Sequence, residues 1–323
     1  MRYPKIANWL VFRRIAPNQW EVKDYLLEET CTIGNGLARF ARKLDGHVNP
    51  YAIDPTLDKE DVDEMLQILD ENEMLRYSSR IAVSAGTVYR TLWIPKGSGF
   101  SRILAFANHM LLKYLWLPVF ISGILLLWNR APILGRDHMF LGSLAGVMLG
   151  MLFHELAHGC ACLSYGGRVF ELGVMLHHFL PGAYVLLSAE AIKNRMKRVQ
   201  IDAAGIEANL MLAGLLFLAA LQFPAWGGAF VCGAVTNILM AALNLTLIEG
   251  FDGAAILSEL LGAEDLIADA KSIVWKRQKR RRWRKKGRLD NGMLAACYLI
   301  TGVQIALPLL LLVNAAEVIL WLL

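Results

Sequence analysis

The stretch Met139 to Leu163 is apolar enough to cross a bilayer, yet it carries His154, Glu155 and His158 near its end. Ionisable groups at membrane depth are costly unless they pair or bind something, so a span that keeps three of them is a candidate functional site. Helical spacing puts His154 and His158 on one face, four residues apart, where two imidazoles can grip one metal ion. Glu155 can then reach a water bound to that ion. The alternative to this His-Glu-Leu-Ala-His reading is a chance match of three polar residues. Gly142, Gly146 and Gly150 repeat at the same four-residue spacing and predict a groove that admits close approach of another helix toward the metal face.

With 323 residues, 56% of them apolar, the chain is too apolar for an ordinary soluble protein and long enough for several spans beside one small domain. The pattern predicts an α-helical multi-pass membrane protein of about five spans with a small N-terminal α+β, winged-helix-like cytosolic domain. The first apolar piece is short and broken by Arg13 and Arg14, which predicts a cytosolic N-terminus without a signal peptide. Expected spans are Leu104–Trp128, Met139–Leu163, Ala204–Leu221, Gly228–Ile248 and Met293–Leu323, the last with Pro308 inside it and readable as one helix or two. Residues 81–103, containing Gly86, Pro95, Gly97 and Gly99, read as a linker between a domain over 1–80 and a membrane part over 104–323 whose core is 139–260.

Charge agrees with that topology. Lys276 to Arg288 holds ten Lys or Arg in thirteen residues and no acid, so the remainder of the chain carries a net charge of −5 (+5 less 10). Between two spans, such a run points to anionic lipid headgroups and the positive-inside rule rather than to nucleic acid. Lys193 to Arg198 falls on the same expected cytosolic side, together with the His154 turn and the end of the fourth span. Cys31, Cys160, Cys162, Cys232 and Cys297 suggest no disulfide framework. Cys160 and Cys162 follow the histidines, but reaching the same ion would need sharp local unwinding, and they read as packing residues.

In the N-terminal part, Trp9–Ile15, Gln19–Asp24 and Leu27–Ile33 read as strands, and Asn35–Leu44 and Lys59–Glu73 as helices, the second capped by Asp58. Met1 to Pro95 contains 12 basic and 14 acidic residues, which is no footprint for DNA. A metal held by two histidines needs a third protein ligand. Asp252 and Glu249 both lie where the fourth span ends; Gly250 and Gly253, which let the backbone leave helical geometry, slightly favour Asp252.

Two resemblances extend this reading. The strand pair, the Leu44-Asp45-Gly46 turn after an aliphatic helix and the Glu73-Met74-Leu75 step resemble the PqqD-like fold, the leader-recognition element of ribosomally made modified peptides. The resemblance implies that an edge strand takes up a leader peptide as an added strand, here at Leu27, Thr30 and Ile33. Separately, His154-Glu-Leu-Ala-His158, Gly205-Ile-Glu-Ala-Asn209, and Asn244 followed eight residues later by Asp252-Gly253 resemble the site-2 protease family of intramembrane zinc metalloproteases, in its bacterial peptide-zinc-metalloprotease branch. One departure is Leu247, where that branch often has proline. The family implies zinc held by His154, His158 and Asp252, Glu155 as general base and acid, Asn209 and Asn244 orienting substrate or stabilising the oxyanion, and the Arg168 to Ser188 segment holding an extended substrate.

Together these lead to the expectation of an intramembrane zinc endopeptidase, in the cytoplasmic membrane, that cleaves a precursor peptide during maturation or export of a ribosomally made modified peptide. The rivals are site-2-type cleavage of a membrane-anchored signalling protein, and a non-proteolytic export or immunity protein that keeps the metal for structure.

Overall fold

The computed structural model describes residues 3–27, 29–77, 81–84, 87–95, 99–128, 138–177, 180–248, 250–262, 266–285 and 291–322. In chain order the elements are β1 (Lys5–Ile6), β2 (Leu10–Ala16), β3 (Gln19–Asp24), β4 (Glu29–Gly34), α1 (Asn35–Ala41), α2 (Lys59–Glu71), β5 (Leu75–Arg76), β6 (Ile81–Ser84), β7 (Thr87–Trp93), α3 (Gly99–Trp128), α4 (Met139–Ser164), β8 (Arg168–His177), β9 (Leu180–Ser188), α5 (Arg195–Gln222), α6 (Gly227–Asn244), α7 (Asp252–Leu261), α8 (Leu266–Trp275), α9 (Arg277–Lys285) and α10 (Asn291–Leu322). They form two compact units, one of residues 1–107 with 162–191 and one of residues 108–161 with 192–323.

The first unit is built on an antiparallel meander, β2-β3-β4, with β4 at its edge. Asp58 caps α2 through the amide of Asp61, and the Asp61 side chain returns the bond, so the first turn is closed at both ends. The helix then buries Val62 and Leu69 against Trp9, Val22, Phe40 and Leu44. Each such side chain contributes about 1.5–3 kcal/mol by leaving water. Leu27 precedes the strand: it lies in a turn, its amide donating to Asp24 Oδ1 at 2.9 Å, so the edge strand begins at Glu29 and carries Thr30 and Ile33 but not Leu27.

Residues 81–93 are not a linker. β6 and β7 join β8 and β9 in a four-stranded antiparallel sheet, with Tyr89 opposite Met175 and Leu172 opposite Val185. The strand was hidden because its polarity is inverted: Thr87 and Thr91 are buried while Val88 and Leu92 are exposed. Nor does the compact unit stop at residue 80, since Phe170 of β8 belongs to the same apolar core as Trp9 and Phe40.

Glu171 explains the inversion. It is 0% exposed and accepts from Arg76 Nη1 (2.8 Å), Asn8 Nδ2 (3.2 Å), Thr91 Oγ1 (3.1 Å) and Tyr184 Oη (2.7 Å). Burial, and then the Glu171 charge, push the Tyr184 phenol above its ordinary range, so it stays a donor at neutral pH. Removing one partner of a buried ion pair leaves the other charge uncompensated. Glu171→Ala is therefore expected to cost about 3–5 kcal/mol of unit stability, and Glu171→Leu combined with Arg76→Met much less. Thermal unfolding of the full chain in detergent, with proteolysis of residues 1–107 as the local readout, checks the order of the two variants.

In the second unit, four helical segments among the described residues are long and apolar enough to cross a membrane: 102–128, 139–164, 195–222 and 224–244. The third begins nine residues before the expected Ala204, because Asn194 caps it and its first two turns are polar. The fourth helix ends at Asn244, four residues before Ile248. The final apolar segment is one helix, α10, continuous over Asn291–Leu322. The glycine stripe packs as its spacing predicts. A Cβ at Gly142 would lie 2.0 Å from Ala229 O, one at Gly146 2.7 Å from Gly233 Cα, and one at Gly150 2.4 Å from Asn237 Oδ1. The partners also advance four residues at a time, so α4 and α6 run parallel in near backbone contact.

Candidate metal centre

Three elements of the second unit meet at one point. α4 supplies His154 and His158, and α7 supplies Asp252 at its first residue. The Nε2 atoms of the two histidines lie 3.1 Å apart; Asp252 Oδ2 is 3.1 Å from His154 Nε2, and Oδ1 is 3.4 Å from His158 Nε2. Tetrahedral coordination with bonds of about 2.1 Å requires ligand separations of about 3.4 Å. The chain reaches Asp252 through Gly250, whose φ of +91° is a left-handed conformation that favours glycine. Glu249, the rival carboxylate, lies outside the described residues.

The surroundings fit an ion. His158 Nδ1 lies 2.7 Å from Ile201 O, a carbonyl that can only accept, so the ring proton sits on Nδ1 and the Nε2 lone pair faces the cluster. His154 Nδ1 lies 3.2 Å from the Asn209 amide. Asn209 Oδ1 is otherwise buried without a partner, and turning the amide over lets it accept from His154 Nδ1–H, which fixes the same tautomer. Two lone pairs and a carboxylate whose buried Oδ2 has no donor then converge, an arrangement that a cation stabilises. Room for the ion comes from Gly205: a Cβ there would lie 2.5 Å from Nε2 of both histidines. No family model matches this chain, and searches of curated proteins and of solved structures found no match either.

Glu155 follows His154 on α4, about 100° around the helix, partly exposed and within electrostatic reach of His158. Asn209 is brought to the cluster, but behind His154, as an orienting group rather than at an open coordination position. The Asn244 amide donates to Met240 O on its own helix at 3.1 Å. Cys162 packs instead at the start of the β8–β9 hairpin, its thiol 3.6 Å from Arg168 O and Ser188 O. Sequence reading missed Asn237, which is fully buried and donates to Gly146 O (3.1 Å) and Gly233 O (2.9 Å), tying α6 to α4. A polar amide inside an apolar span was the available signal.

It also missed a stripe on α5. Arg198, Asp202, Gly205 and Asn209 are spaced four, three and four apart and share one face. Arg198 holds Glu259 of α7 bidentately at 2.8 and 2.9 Å. Seven residues separate Glu259 from Asp252 on α7, so the clamp and the ligand lie on one face of a short helix. Arg198→Gln is expected to weaken metal binding about tenfold, in the range of lost orienting contacts. Chelator competition measures it, and the exchange R198E/E259R should recover part of the loss. Phe153 and Ala157, neighbours of the histidines on α4, wall a cavity of about 200 Å³ together with Asn108, Leu112 and Met211.

Proposed function

We propose that this protein is a zinc endopeptidase of the cytoplasmic membrane that cuts a precursor peptide during maturation or export of a ribosomally made modified peptide. The observation that carries the reading is the convergence of His154, His158 and Asp252 on the space left by Gly205, with Glu155 on the same helical turn. Two imidazoles and one carboxylate are the ligand set of catalytic zinc, which when bound would polarise a scissile carbonyl and acidify a water. Glu155 takes the water's proton and hands it to the departing amine. Ile201 O and Asn209 hold the two rings in the tautomer that keeps their Nε2 lone pairs inward.

In this reading α10 is a fifth span, the N-terminus is cytosolic, and the winged-helix-like first unit presents the substrate. The β4 strand, exposed at Glu29, Thr30, Cys31 and Thr32, offers an open edge to which an extended leader adds as a further strand.

The full chain, purified in detergent, is incubated with candidate precursor peptides before and after metal removal by a chelator, with bound metal measured by elemental analysis. One zinc per chain, and cleavage that disappears with the chelator and returns with zinc, is the expected result. Zinc with no cleavage of any peptide would favour a structural metal in an export or immunity protein, and no bound metal would remove the site altogether.

A further inference from the structure

The cations of α9 are divided between two faces. Lys279 bonds to Asp269, and the Arg280 guanidinium caps α8 at Ile273 O (3.0 Å) and Val274 O. Trp283 is 8% exposed and donates from Nε1 to Asp269 Oδ2 at 3.2 Å. These three contacts fasten one side of α9 to α8, within an apolar cluster that includes Ala270 and Ile273 of α8 and Cys297 and Ile300 of α10. On the other side, Arg277, Arg281, Arg284 and Lys285 are all exposed and fall within about 100° of the helix circumference. No acidic residue lies between Lys276 and Lys285 to neutralise them. Trp275, just before the helix, is 71% exposed.

From this arrangement we infer that the outer face of α9 is a docking surface for anionic phospholipid headgroups. Four cations held on a fixed helix face complement a sheet of phosphates, and they stand at the start of the apolar helix α10, where hydrocarbon gives way to headgroups. An exposed tryptophan at the same place suits that interface, since its ring is apolar and its N–H donates. A duplex nucleic acid would be served by the cations but gives no role to the neighbouring apolar helix. The inference rests on the membrane reading and not on peptidase activity.

The full chain is reconstituted in nanodiscs of equal phosphatidylglycerol and phosphatidylcholine, released into mild detergent, and its retained lipids are counted by native mass spectrometry. Each cation near an anionic surface favours it by about fivefold, so a phosphatidylglycerol excess of at least about tenfold is expected. R277Q/R281Q/R284Q/K285Q, which leaves Lys279, Arg280, Trp283 and Asp269 in place, should bring the ratio near unity, whereas R277K/R281K/R284K should keep it. No excess in the natural protein, or an excess unchanged by the four glutamines, overturns the inference. Displacement of the retained lipid by an oligonucleotide at equal phosphate would overturn it too and assign the face to nucleic acid. Because the ratio is read without any cleavage, its failure leaves the peptidase proposal where it stands.

Discussion

If the proposed function holds, Glu155→Gln should keep the bound metal and lower peptide cleavage by about 10²–10⁴-fold, the usual contribution of a positioned proton carrier. The substitution preserves the size of the side chain and the α4 backbone, and it touches none of the groups that orient the ligands. His158 still donates to Ile201 O, and His154 still meets Asn209. What disappears is a carboxylate able to hold a proton beside the cluster. Metal content by elemental analysis and cleavage of a precursor peptide by mass spectrometry are read on the same sample. Equal zinc with a residual rate below about a hundredth of the parent's is expected. Activity that survives the substitution would remove Glu155 from the chemistry and would direct attention to Asp202, a carboxylate on the same face of α5 as Gly205 and Asn209.

The pairing of His154 with His158 in the candidate site was legible because its signals are local. His154 and His158 share a face by spacing alone, and the glycine stripe Gly142, Gly146 and Gly150 needs no tertiary information to predict close approach. Asp252 was a weaker inference, since its distance from the histidines in sequence gives no register; the turn at Gly250 supplies it. What stayed hidden was long-range. Glu171 draws its partners from 163, 95 and 80 residues away, and nothing within β8 marks it as the centre of a buried network. β7 was hidden for the same reason, because Thr91 is buried where it donates to Glu171 and accepts from Arg76. Asn209 and Asn244 looked equivalent in sequence, yet the amide of one meets His154 and that of the other bonds Met240 O of its own helix, a difference that spacing along the chain does not encode. The Arg198–Glu259 clamp could be read only once α7 was seen to be a separate short helix.

Gly205→Ala should abolish metal binding while leaving the helix intact. In the interior of α5 an alanine is a better helix former than glycine by roughly 0.5–1 kcal/mol, so backbone propensity opposes any loss of fold. The added methyl, however, would stand 2.5 Å from His154 Nε2, His154 Cε1 and His158 Nε2, where ordinary contact needs about 3.5 Å. Relief requires both rings to retreat by about 1 Å, and coordination tolerates only about 0.2 Å. Neither ring is free to go: His158 is held by Ile201 O and His154 by Asn209, and Ala157 and Ala161 of α4 are buried beside them. The expected protein therefore purifies and unfolds normally but carries less than about a tenth of the parent's zinc, and it is inactive for want of the ion rather than of Glu155. Gly302→Ala, where a Cβ would meet nothing within 4 Å, is the control for the effect of a methyl in an apolar helix. A Gly205→Ala protein that keeps a full complement of metal would mean that the ion, if held at all, is not held between the two Nε2 atoms, and the coordination geometry argued from their 3.1 Å separation would fail with it.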